Sequence, residues 1–103
     1  MMQKNRLKLH KILLEIIGNE NVYFQPPRTI EINYPCIIYN RADIDEKFAD
    51  NIKYQNTKKY MVVVIHFDPD SKIPDKIGEL SKCSFERHYT KDNLNHDVYN
   101  VYF

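Results

Sequence analysis

At 103 residues the chain has room for a single domain that buries roughly two thirds of its unfolded surface, which excludes a second core. Fifteen basic residues against fourteen acidic ones leave a formal charge of +1, so no bulk field draws the protein to nucleic acid or to an anionic membrane. Eight Tyr and five Phe with only two Gly favour strands over loops.

The N-terminal stretch places Leu9, Ile12, Leu13, Ile16 and Ile17 at helical spacing, with Leu7 and Leu14 widening the stripe. Gly18-Asn19 supplies a left-handed stop, and Lys4, Lys8, Lys11 and Glu15 form the polar face of this first helix. Glu15 interrupts the apolar run and no small-residue cleavage site follows, so neither a membrane span nor an export signal is expected. Cys36 and Cys83 make no CxxC motif and read as two reduced, packed thiols of a cytosolic protein.

Val22 to Gln25 is a short strand candidate, followed by a Pro26-Pro27 break and a β-branched and aromatic run that ends at Tyr39. Pro35 sets the start of that second strand at an edge or bulge. Residues 41–59, RADIDEKFADNIKYQNTKK, are polar and of mixed charge with little periodicity; a long excursion of this kind suits contacts to another chain or a hinge that orders on assembly. YMVVVIHF, from Tyr60 to Phe67, is apolar on both alternating sets and predicts a central strand covered on both faces.

DPDSKIPDKIGELSK then gives a turn and a short second helix, with Asp70 or Ser71 as cap and Pro74 in the first turn. In the strand from Cys83 to Tyr89, Cys83, Phe85, Arg87 and Tyr89 alternate with Ser84, Glu86 and His88. A turn at TKDNLN leads into a last strand with Asp97, Tyr99, Val101 and Phe103 on one face and His96, Val98, Asn100 and Tyr102 on the other. The order predicts one α+β domain over 1–103: a mostly antiparallel sheet of about four to five strands with two helices on one side.

The raw material for chemistry is His66, Asp68 and Asp70 at the end of the central strand and His88, His96 and Asp97 in the hairpin. Two His and an Asp could form an open metal site, but His66 and His88 have no fixed ligand spacing, and DPDS lacks the regular oxygens and glycine of a calcium loop. Ser71 and Ser84 sit in no nucleophile-elbow pattern, two glycines offer no phosphate-cradling loop, and the cysteines lie in apolar runs. No catalytic residue, cofactor or metal is expected. The basic-aromatic stretches FERHY and NTKKY would suit base stacking, yet Glu86, Asp92 and Asp97 share the hairpin, so no specific nucleic-acid site is expected. What remains is a surplus of aromatics in the last strand, expected at the sheet edge, which needs a helix, the excursion or a neighbouring subunit to cover it.

YPCIIYNR, KKYMVVVIHFDPDS, IPDKIGEL and CSFERHYTKDNLNHDVYNVYF, in this order and spacing from about Tyr34 to Phe103, resemble a family of short proteins encoded in the morphogenesis modules of tailed phages and bacterial prophages. Its members are described as minor capsid, head-tail joining, or tail completion and terminator proteins. The resemblance implies a tail-terminator-like subunit of a homo-oligomeric ring, a hexamer, that caps the tail tube and joins it to the head connector. It implies assembly in the host cytoplasm, a place in the virion at the head-tail junction, the tail tube protein and connector proteins as partners, and no membrane. The candidate interface residues are Arg41, Asp43, Asp45, Phe48, Lys53 and Lys58 of the excursion, and Tyr99, Tyr102 and Phe103 of the last strand. A head-side connector or minor capsid role shares these features. A small metal- or nucleic-acid-binding protein using His66, Asp68, Asp70 and His88 is the reading of a different class.

Overall fold

The computed structural model describes residues 2–42 and 58–103. Its fold is α+β, with a five-stranded mixed sheet and two helices among the described residues. Helix α1 spans Met2–Ile17 and leads into β1 (Val22–Phe24) and β2 (Cys36–Ala42); β3 (Lys59–His66) precedes α2 (Ile73–Gly78), and the hairpin β4 (Cys83–Lys91) and β5 (Leu94–Tyr102) follows. Across the sheet the order is β1-β2-β3-β5-β4. β1 runs parallel to β2, and every other neighbour pair is antiparallel.

Alternation along each strand sorts the side chains between two faces. The first carries Val22 and Phe24, Ile37 and Tyr39, Tyr60, Val62 and Val64, and Tyr99 and Val101, and both helices lie on it. α1 covers β1 and β2, α2 covers β4 and β5, and the helices touch each other. Leu9, Leu13 and Ile17, spaced by four, are the buried edge of α1, and Ile77 is the buried residue of α2. Leu7 lies outside that contact, 55% exposed. At the end of α1, Gly18 takes φ of 75° and its amide donates to the Leu14 carbonyl at 3.0 Å, the left-handed stop expected from Gly-Asn.

Several details depart from the sequence reading. β2 extends beyond Tyr39 to Ala42 and is internal, with Pro35 just before its first residue. The central strand has its predicted place, but both described helices lie on one face. On the other, Cys36, Ile65 and Val98 are buried near one end while Ile38, Met61, Val63, Asn100 and Tyr102 stay half-buried. α2 has Lys72 at its N-cap with no side-chain cap bond; Ser71 Oγ instead accepts from the Ile73 amide at 3.2 Å, one residue outside the expected position. The aromatic last strand is not the sheet edge, because the hairpin folds β4 outside it.

Candidate functional site

Two polar clusters interrupt the apolar face of the sheet. The larger lies where β3, β5 and β4 meet beyond the helices. Alternation from Tyr60, Val62 and Val64 brings His66 onto the helix-bearing face at the end of β3, and the run Val101, Tyr99, Asp97 does the same for Asp97 on β5. His88 reaches that face through a β-bulge. A two-residue turn at Asp92 and Asn93, with φ of 53° and 63°, pairs Lys91 with Leu94 and so sets His88 opposite Asp97. At the far end Cys83 and Phe85 pair with Val101 and Tyr99, a register one residue different, and the shift falls between Phe85 and Arg87. One extra residue lets Phe85 and His88 share a face although three positions separate them. The simple alternation expected for β4, with His88 beside Ser84, fails for that reason.

The resulting contacts are short. His66 Nε2 lies 2.6 Å from Asp97 Oδ2, and His88 Nδ1 lies 2.6 Å from Asp97 Oδ1. The other nitrogen of His66, Nδ1, donates to the Asp68 carbonyl at 2.8 Å. Side-chain exposure is 4% for His66, 11% for Asp97 and 46% for His88. Burying a carboxylate is costly unless it is paired, and Asp97 is bonded on both oxygens. Among the described residues no buried side-chain nitrogen or oxygen lacks a partner.

Of the six groups singled out in the sequence, the structure thus joins His66, His88 and Asp97, with Asp68 contributing its carbonyl. Asp70 stays in the exposed turn, where its amide donates to Asp68 Oδ1 at 2.9 Å. His96 lies on the opposite face, stacked on Tyr89 at 4.6 Å between centroids. The two imidazoles each take a separate oxygen of Asp97, and among the described residues no three His, Cys, Asp or Glu side chains converge as a metal would require.

The second cluster fastens α1 to β2. The Tyr39 ring is fully buried between Phe24 and Tyr60, at 4.9 and 6.0 Å between centroids. Its hydroxyl lies 2.7 Å from His10 Nδ1 and accepts from Arg6 Nη1 at 3.3 Å, while the Arg6 guanidinium sits 4.5 Å above the Phe24 ring. Desolvation, and then the Arg6 charge, lower the His10 pKa from its ordinary 6.5, so at pH 7 Nδ1 is free to accept the Tyr39 hydroxyl proton. Desolvation raises the pKa of Tyr39, partly opposed by Arg6. Neither Arg6 nor His10 was singled out in the sequence, where the polar face of the helix was read from Lys4, Lys8, Lys11 and Glu15.

Outside these clusters, β4 is an edge strand exposed from Ser84 to Lys91. Phe85 is 57% exposed and Tyr89 38%. Arg87 lies 5.4 Å from the Tyr89 ring, and Glu86 Oε1 accepts from Asn100 Nδ2 at 3.0 Å.

Among the expected interface residues, Tyr99 is buried under α2 and its hydroxyl donates to the Pro74 carbonyl at 2.9 Å. Tyr102 and Phe103 are half-buried, and the Phe103 amide and carbonyl pair with Lys58 at 2.9 and 3.0 Å. Arg41 is exposed near the end of β2, and its amide donates to Gln25 Oε1 at 3.2 Å. Asp43, Asp45, Phe48 and Lys53 lie outside the described residues. The edge aromatics Phe85 and Tyr89, read in the sequence as strand alternation and as part of FERHY, were not among the expected interface residues, since nothing in the alternation says which strand of a hairpin ends the sheet.

Comparison with known protein families, with curated proteins and with solved structures finds no match for the chain.

Proposed function

We propose that this protein is a virion morphogenesis subunit of the tail-completion or terminator type, one copy of a homo-oligomeric ring at the head-tail junction of a phage or prophage particle. The observation that carries the reading is β4: among the described residues, an edge strand with no strand partner on one side, with exposed aromatics on both faces and charges of both signs. An edge of this kind invites strand pairing or side-chain packing by a neighbour. The longest stretch of family resemblance, CSFERHYTKDNLNHDVYNVYF, is the hairpin that presents this edge.

A ring closes when one surface of each subunit meets a different surface of the next, and many weak contacts then add. Such a subunit acts by shape and needs no cofactor. Its partners are further copies of itself, the tail tube protein and the head connector; it assembles in the host cytoplasm and stays in the virion. No described helix is long and apolar enough to cross a membrane.

The test is to mix the purified protein with tail tubes lacking their terminal protein and, separately, with head connectors, and to image both. Rings on tube ends that vanish with Phe85→Asp support the reading. Binding to connectors alone moves the protein to the head side, and binding to neither overturns the assembly role.

A further inference from the structure

The hydrogens of the larger cluster can be counted. A carbonyl oxygen only accepts, so His66 Nδ1, 2.8 Å from the Asp68 carbonyl, carries one hydrogen. At 2.6 Å, His66 Nε2 and Asp97 Oδ2 would set lone pair against lone pair unless a second hydrogen lay between them. The same holds for His88 Nδ1 and Asp97 Oδ1, also at 2.6 Å. Three hydrogens are therefore needed, and two neutral imidazoles beside a carboxylate supply only two. The third hydrogen lies between His66 Nε2 and Asp97 Oδ2; imidazole is the stronger base of the two, which places it on the nitrogen and makes the buried His66–Asp97 unit a cation against an anion, with no net charge left inside the fold.

We propose that His66, Asp97 and His88 form a three-hydrogen latch that positions the exposed edge strand β4. The chain of bonds runs from the turn carbonyl of Asp68 through β3 and β5 to His88, and crosses both strand boundaries behind the edge. Among the described residues, the part of β4 next to the hairpin turn has β5 as its only strand neighbour, and it is exposed throughout. His88 is thus a positioning residue: through Asp97 it ties that half of the edge to the central strand. A buried ion pair is poor at adding stability, and its best-attested use is to specify register, which is what an edge that must meet a neighbour in one outline requires.

Other titratable and charged groups surround the latch from each element that packs there. On β5, Tyr99 is the next residue on the same face, bonded to Pro74. Asp75 of α2 and Cys83 of β4 act on Tyr99. Asp70 is held in the exposed turn, while Glu86, Arg87 and His96 lie on the opposite face of the hairpin. Among these groups, only Asp97 is hydrogen-bonded to both His66 and His88.

The latch rests on the assembly reading only for its use, and its test is made on the isolated chain at neutral pH. Nitrogen NMR should show His66 protonated at both ring nitrogens and His88 at Nδ1 alone. In Asp97→Asn the amide oxygen can accept from one ring and the amide nitrogen donate to the other, so His66 should lose one hydrogen while the hairpin stays closed. His88→Ala should speed exchange of the β4 amides bonded to β5 near the turn by roughly tenfold or more, with β2 and β3 unchanged, and His88→Gln should restore protection. A bare nitrogen on wild-type His66, or unchanged exchange in His88→Ala, overturns the latch. A chain that shows the latch but forms no ring supports the latch and overturns the assembly reading alone.

Discussion

Replacing Tyr39 by Phe isolates the bond that fastens the first helix to the sheet. The ring keeps its place between Phe24 and Tyr60, so packing changes little and only the hydroxyl is lost. That hydroxyl makes one short bond, 2.7 Å to His10, and one longer one, 3.3 Å from Arg6. A net hydrogen bond is worth about 0.5–1.5 kcal/mol, and both partners are half-buried rather than sealed. Together these give a loss of about 1–2 kcal/mol. For a domain of this size each kcal/mol moves Tm by roughly 4–8 °C, so Tyr39→Phe should melt about 5–15 °C below wild type by circular dichroism. A double-mutant cycle with His10→Ala should show coupling of at least about 0.5 kcal/mol. A Tm within about 2 °C of wild type, or fully additive single variants, would refute the assigned role of the hydroxyl.

The lowered His10 pKa sets an acid limit. Because the folded state binds that proton less readily than the unfolded chain, the stability from neutral His10 is complete above 6.5 and is lost as pH falls below it; the slope of Tm against pH in that window should flatten in His10→Gln. At the alkaline end, burial pushes the Cys36 thiol up to about 12 and, with Asp97, Cys83 and Asp75, pushes Tyr99 to about 12. Folded forms that hold these protons are favoured below the ordinary values of 9.0 and 10.0, so stability should fall as pH rises through the interval up to about 12. A maleimide at pH 8 should label half-buried Cys83 before buried Cys36, with Cys36 reacting only on unfolding; equal rates would contradict the burial pattern. Leu13→Ala removes a fully buried side chain of α1 and should cost about 2–5 kcal/mol in urea titrations, against less than about 0.5 kcal/mol for the exposed Leu7→Ala.

Much of the fold was legible because long-period patterns survive tertiary context. The spacing of Leu9, Leu13 and Ile17, the Gly18 stop and the apolar run of β3 each fix an element by local rules. The parallel pairing of β1 with β2 was not legible, since a three-residue strand carries no sign of its partner's direction. Nor was the edge. The final strand looked terminal because it ends the described chain, yet a hairpin sets its first strand outside as easily as its second, and β5 is the one that docks on β3. The candidate cluster was half legible. His66, His88 and Asp97 were visible as residue types, but their meeting depends on the bulge between Phe85 and Arg87, which follows from two registers imposed at opposite ends of β4. Arg6 and His10 were hidden for a different reason: their partner, Tyr39, reads as one more core aromatic.

The most direct test of the account is the molar mass of the pure protein by light scattering over a wide concentration range, alone and with tail tubes, for wild type and Phe85→Asp. The account predicts a discrete ring, a hexamer by the family resemblance, for wild type, and a folded monomer for the variant. A wild-type chain that stays monomeric at every concentration and never joins a tube, or a variant that assembles as well as wild type, would contradict it.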